Sequence, residues 1–119
     1  MVSPQTLMNS VLGMWMQPER TTRYTVLHEH FRPDVVFHYG DAEYIGFEAL
    51  EGLSDEMQAR YPGGHFALIA ASTVGNAVRA SWVLKAADGH EIEHGTYFAT
   101  LEADKICSLY GFVEHADNS

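Results

Sequence analysis

Three long strand-like runs fill the C-terminal half of the chain. His65–Val74 (HFALIAASTV) is apolar throughout, Gly75-Asn76 offers a two-residue loop that tolerates positive φ, and Ala77–Ala86 returns, which predicts a tight β-hairpin. Side chains alternate faces along a strand, so this loop pairs Thr73 with Val78, Ala71 with Ala80, Ile69 with Trp82 and Ala67 with Leu84 on one inner face. The other face carries Phe66, Leu68, Ser72, Arg79, Ser81, Val83 and Lys85, and is turned toward water or a partner. Ala87-Asp88-Gly89 reads as a type I turn closed by a glycine bulge, leading into a third strand, His90–Leu101. In that register Trp82 faces His94. Ile92, His94, Thr96, Phe98 and Thr100 then lie inward, and Glu91, Glu93, Tyr97 and Leu101 outward. A one-residue slip would exchange the two sets. The register is chosen because it keeps Glu91 and Glu93 out of the core, where an unpaired carboxylate is costly. After Ala103-Asp104 a fourth strand, Ile106–Glu114, closes the meander. Both of its faces are apolar (Ile106, Tyr110 and Phe112 against Cys107, Leu109 and Val113), so which of them turns inward stays open.

The chain before this meander reads as helices that cover it. Ser3 is an N-cap followed by Pro4 at the first helical position, and Leu7, Val11, Met14 and Trp15 recur at helical spacing, which predicts a helix to about Gln17. Pro18 interrupts it and starts a second helix with Tyr24, Leu27, His28 and Phe31 as its apolar stripe, ending near Arg32 before Pro33. Asp34–Tyr39 is a short strand and 40–45 a loop. Gly46–Arg60 is a third helix with Phe47, Leu50, Leu53 and Met57 inward, stopped by Tyr61-Pro62-Gly63-Gly64.

At 119 residues and 46% apolar content, residues 1–119 form one domain with a real core. A formal net charge of −9 with 7 Lys plus Arg argues against nucleic-acid and anionic-membrane partners. No window approaches ~18 consecutive apolar residues, and no basic segment precedes an apolar run at the N-terminus. The lone Cys107 rules out an internal disulfide and agrees with a reducing cytoplasm, the expected location.

The order of elements resembles the cone-shaped fold of nuclear transport factor 2, the scytalone dehydratases, the ketosteroid isomerases and the SnoaL-like polyketide cyclases. The resemblance covers nearly the whole chain. It rests on FRPDVVFHYG (31–40), the GFEAL helix start (46–50), the AADG turn (86–89) and GTYFATLEADKI (95–106). It implies an α+β fold in which N-terminal helices pack on a curved, mixed, mostly antiparallel sheet and enclose a pocket. Aligned with the isomerases, Tyr39 stands where their catalytic Asp lies, Thr96 at the oxyanion-hole Asp and Trp15 near the oxyanion-hole Tyr, all three changed in type. Cyclases often show His-Asp-Pro where this chain has His38-Tyr39-Gly40.

His94 is the foremost chemical candidate, mid-strand on the expected inner face beside Thr96, with an imidazole suited to proton transfer near neutral pH; the plainer alternative is a hydrogen-bonded core histidine. The expected catalytic set is His94 as proton carrier with Tyr39 and Thr96 as donors. Trp15, Tyr24, His38, Ile69, Ala80, Trp82, Phe98 and Tyr110 are the expected substrate-binding residues, and Asp41 or Glu43 is an alternative base over the mouth. No metal site is expected: His28 and His30 diverge on a helix, while His90 and His94 stand roughly 13 Å apart on a strand. No nucleotide, phosphate-loop, serine-hydrolase or zinc-protease motif is present, and no cofactor is expected. The sequence therefore points to a cofactor-independent isomerase, cyclase or dehydratase working by general acid–base catalysis on a small hydrophobic polyketide- or terpenoid-like molecule. The alternative is a non-catalytic ligand-binding or protein-interaction module. A homodimer is expected through the outer face, formed by Phe66, Leu68, Val83, Tyr97 and Leu101.

Overall fold

Residues 2–114 are described by a computed structural model. The elements are α1 (Pro4–Trp15), α2 (Arg20–His30), β1 (Phe31–Tyr39), β2 (Ala42–Ile45), α3 (Gly46–Arg60), β3 (His65–Val74), β4 (Ala77–Lys85), β5 (Glu91–Glu102) and β6 (Lys105–Glu114). Ser3 caps α1 by accepting the Thr6 N–H at 3.1 Å, ahead of Pro4. At its other end the backbone carbonyls are met from α3: Ser54 donates to Trp15 O at 2.7 Å, and Gln58 donates to Gln17 O at 2.8 Å. Helix α1 thus ends at Trp15, short of the expected Gln17.

Helix α2 ends at His30, because Phe31 already pairs with Ile106 of β6. Strand β1 runs on through Pro33, and its pairing with β6 is irregular between Phe31 and Val36, where a proline without an N–H is tolerated. The buried stripe of α2 is Arg23, Leu27 and His30, which leaves Tyr24 54% exposed. Arg23 is 2% exposed and ties α2 to α3, with Nε 3.2 Å from Glu51 and Nη1 3.0 Å from Asp55. Residues 42–45, expected as loop, form β2, which pairs antiparallel with β1 from Tyr39↔Ala42 to Val36↔Ile45.

The six strands form one sheet in the order β2-β1-β6-β5-β4-β3, parallel only at β1–β6. Helix α1 lies against β3 and α3 against β1, so the helices cover the sheet as expected. Between the layers an aromatic chain runs from Trp15, stacked on Phe37 at 5.5 Å, through Tyr97 and Trp82 to Phe66. The Gly75-Asn76 loop is as expected; Gly75 alone has positive φ (59°), as a type II′ turn requires of its first residue.

Two bulges overturn the expected faces. From Val74↔Ala77 to Ala70↔Ser81 the hairpin follows the expected pairing, but Ile69 is an extra residue and the ladder resumes as Leu68↔Trp82 and Phe66↔Leu84. Phe66 and Leu68 therefore turn inward, and Ile69 is 63% exposed. On β5, Lys85↔Glu91 fits the expected register, Ile92 is then extra, and the pairs become Leu84↔Glu93, Trp82↔Gly95 and Ala80↔Tyr97. Glu93, Tyr97 and Ala99 consequently join the inner set, while His94, Thr96, Phe98 and Thr100 face outward. Bulges of this kind increase local twist and curl a sheet around its contents. The last strand resolves with Ile106 and Leu109 fully buried inside and Tyr110 and Phe112 outside.

The β5–β6 connection holds Ala103 (φ 54°) and Asp104 (φ 68°) in the left-handed region, as a type I′ turn demands. A Cβ there costs ~1–2 kcal/mol, which asparagine tolerates better than alanine. Ala103→Asn is therefore expected to stabilise the fold by about 1 kcal/mol and raise Tm by about 4 °C. Calorimetry checks this, and an unchanged Tm would mean the turn relaxes away from that conformation.

Candidate functional site

Where β1 and β4 end and β3 and β5 begin, the last turns of α3 leave a cavity of about 90 Å³. Its apolar wall is made by Leu53 and Met57 of α3 with Phe66, Trp82 and Leu84 of the sheet. Its mouth is polar, with Tyr39, Tyr44, Tyr61, Glu56, Arg60 and Glu93, and Tyr97 contributes from β5. The enclosed volume is below the ~300–1,000 Å³ of drug-sized sites, so one reacting end of a molecule fits inside. An open trough of about 530 Å³ adjoins it, lined by Gly40, Gly111, Phe112 and Val113. Tyr39 and Glu93 belong to the walls of both, and so stand at the junction.

The electrostatics of this junction favour hydroxyl donors. Tyr39 is pushed above its ordinary value of 10.0, first by burial and then by the nearby charge of Glu93, with Arg60 opposing. Tyr97 is pushed further up, again mainly by burial. The Trp15 indole approaches the Tyr97 hydroxyl and opposes that shift slightly, but without hydrogen-bonding geometry, for Trp15 Nε1 is buried and unpartnered. Both tyrosines therefore keep their protons at neutral pH and can donate to a developing negative oxygen. Among the described residues no group of three His, Cys, Asp or Glu side chains is placed to hold a metal ion.

The structure brings together only part of the expected site. Tyr39 stands at the mouth and Trp82 in the wall, as expected, while Ala80 is buried on the inner face opposite Tyr97. Trp15 lies deeper, in the core behind Tyr97, rather than in the cavity wall. His94 is on the outer face, its Nδ1 2.9 Å from Glu91 and its Nε2 3.7 Å from Glu114. Thr96 is there too, between Ser81 and Phe112, with Phe98 edge-on to Phe112. His38 points outward from β1 and stacks on Tyr110 at 4.5 Å, with Glu43 at 3.4 Å. Ile69 protrudes at its bulge, and Tyr24 lies on His28 at the surface of α2. Neither Asp41 nor Glu43 lines the cavity.

The polar residues of this candidate site that were not expected from the sequence are Tyr44, Glu56, Arg60, Tyr61, Glu93 and Tyr97. A usable signal was Gly95. A Cβ at that position would stand 2.6 Å from Trp82 Cζ2, so the indole needs a glycine across from it, and the Trp82↔Gly95 pairing turns Glu93 and Tyr97 inward.

No protein-family model and no curated protein sequence matches the chain. Solved structures do. A candidate isomerase of the SnoaL-like family from Agrobacterium tumefaciens str. C58 superposes with a TM-score of 0.86 at 20% identity, over 95% of this chain and 99% of that one. A candidate SnoaL-like polyketide cyclase from Jannaschia sp. CCS1 gives 0.73 at 14% identity, over 96% and 90%. A nuclear transport factor 2-like protein of unknown function from Exiguobacterium sp. 255-15 gives 0.72 at 19% identity, over 92% and 98%. The chain thus has the α+β nuclear transport factor 2-like fold, in the form shared with SnoaL-like proteins. No helix among the described residues is long and apolar enough to cross a membrane.

Proposed function

We propose that the protein is a cytoplasmic acid–base enzyme that moves a proton on a small, mostly hydrophobic carbonyl compound, in an isomerase-, cyclase- or dehydratase-type reaction that needs no cofactor. The observation that carries this reading is the position of Glu93 and Tyr39 at the junction of cavity and trough, with the buried Tyr97 in the cavity wall. A carbonyl end enters the cavity and the apolar remainder lies in the trough along Phe112 and Val113. Glu93 takes a proton from the carbon beside the carbonyl. Tyr97 and Tyr39 donate hydrogen bonds to the oxygen as it gains charge, and Glu93 returns the proton at a second position, or the enolate carbon attacks a second carbonyl carbon of the same molecule, whose C=O π bond breaks as Glu93 gives the proton to its oxygen. The reaction classes named for the Agrobacterium and Jannaschia structures support this reading. The test is turnover of a panel of oxo-esters and cyclic enones by the parent chain and by Glu93→Gln. Binding without turnover by the parent would make the chain a ligand-binding module instead.

A homodimer through the outer sheet face belongs to the same proposal, with a different set of residues. Phe66, Leu68 and Tyr97 turn inward, and the exposed apolar groups of that face are Phe98, Tyr110 and Phe112, exposed by 42%, 39% and 52%. Light scattering is expected to give twice the 13.3 kDa chain mass. Phe98→Glu, on the same face and outside the trough, is expected to give the single mass, and a monomeric parent at tens of micromolar would refute the dimer.

A further inference from the structure

The geometry points to a second small-molecule site at the opposite end of the cone, unconnected with the Tyr39–Glu93 junction. A groove of about 580 Å³ lies there between the start of α1, the end of α2 and the two hairpin turns that join β3 to β4 and β5 to β6. Its volume falls within the ~300–1,000 Å³ range of small-molecule sites, unlike the cavity beside Tyr39. Pro4, Leu7, Val78 and Leu101 give it apolar walls.

His30 lines this groove and is 6% exposed. Its Nε2 stands 3.8 Å from the Glu29 carboxylate, too far for a hydrogen bond, and none joins its ring to another described residue. With no partner among the described residues, a ring nitrogen of this largely covered imidazole is left to water or to a partner that enters the groove. A ligand hydroxyl or carbonyl in the groove supplies one.

The charges around it choose the ligand. Glu29 and Asp104 place two carboxylates on the groove, and Lys105 places one ammonium. That ammonium donates to the His28 carbonyl at 2.9 Å at the C-terminal end of α2, and its single charge offsets one of the two carboxylates. An anion would meet uncompensated negative charge. The site therefore takes a neutral, largely apolar molecule carrying one hydroxyl or carbonyl that meets His30.

The test is NMR titration of the full chain, labelled at histidine rings and methyl groups, with 1-octanol and separately with octanoate. Octanol is expected to shift the His30 ring and the Leu101 and Val78 methyls saturably, and to leave Trp82 unmoved. Octanoate is expected to bind roughly tenfold more weakly. Leu101→Trp, on the partly exposed wall, is expected to abolish the His30 shift with the rest of the spectrum preserved. His30→Phe is expected to weaken octanol several-fold. The inference fails if octanol gives no saturable shift at His30, if octanoate binds equally well, or if folded Leu101→Trp binds octanol as the parent does.

Discussion

Gly95→Ala is expected to remove a large part of the stability of this protein. A Cβ at Gly95 would stand 2.0 Å from the Phe112 carbonyl oxygen and 2.6 Å from Trp82 Cζ2. The first contact is with backbone, so relief requires β6 to leave its pairing with β5 at Gly95↔Val113 and Thr96↔Phe112. The second requires the indole to swing out of the core, where Trp82 packs on Phe66 and Tyr97. Neither movement is local. The expected loss is about 4 kcal/mol or more, at the extreme of single substitutions and a large part of the ~5–15 kcal/mol that holds a typical domain together. Gly52→Ala is the matched control. Gly52 lies inside α3 with nothing within 4 Å of an added Cβ, so alanine there should stabilise by ~0.5–1 kcal/mol. Urea unfolding of the three proteins reads both effects. A Gly95→Ala chain within about 1 kcal/mol of the parent would contradict the Trp82↔Gly95 register itself.

Glu93→Gln is expected to lower kcat about 10²- to 10⁴-fold once a substrate is in hand, because the amide keeps the shape of the side chain and removes the base. Tyr97→Phe removes a donor from a site screened from water and should cost about 10²- to 10³-fold, as loss of one oxyanion donor does elsewhere. His94→Gln is expected to leave the rate unchanged, since His94 lies on the outer face with Glu91 and Glu114. The pH profile separates the same alternatives. Tyr39 titrates above its ordinary 10.0, so the proton it donates is held throughout the neutral range and lost only as pH climbs past that value. The alkaline limb should therefore lie above pH 10. An alkaline limb near neutrality, together with a large loss in His94→Gln, would return the proton-transfer role to the imidazole.

Much of the architecture was legible along the chain. The bounds of α3 and β3, the tight turn at Gly75 and the cap at Ser3 follow from local chemistry, namely glycine and proline where the backbone turns or stops and a hydroxyl where a helix leaves an N–H free. The order of helices and strands was enough for the resemblance that the superpositions bear out as a fold. Of the residues that line the candidate cavity, Tyr39 and Trp82 alone were expected from the sequence to belong to a site. The β2 strand escaped because AEYI carries no alternation of its own and becomes a strand by pairing with β1.

What the sequence by itself determined, then, is which segments other than β2 are helix and strand and that the strands form a curved sheet under the helices. Which face each β5 residue presents was decided only in three dimensions. Bulges at Ile69 and Ile92 each insert one residue, and in runs whose two faces are both rich in apolar residues such an insertion leaves no mark in the hydrophobic pattern. The deciding interaction joins Trp82 to Gly95 across strands: an indole can lie flat on the neighbouring strand only where that strand has no side chain. That fit turns His94 and Thr96 out and brings Glu93 and Tyr97 in. It is a matter of volume between residues distant in sequence, and only the folded sheet expresses it.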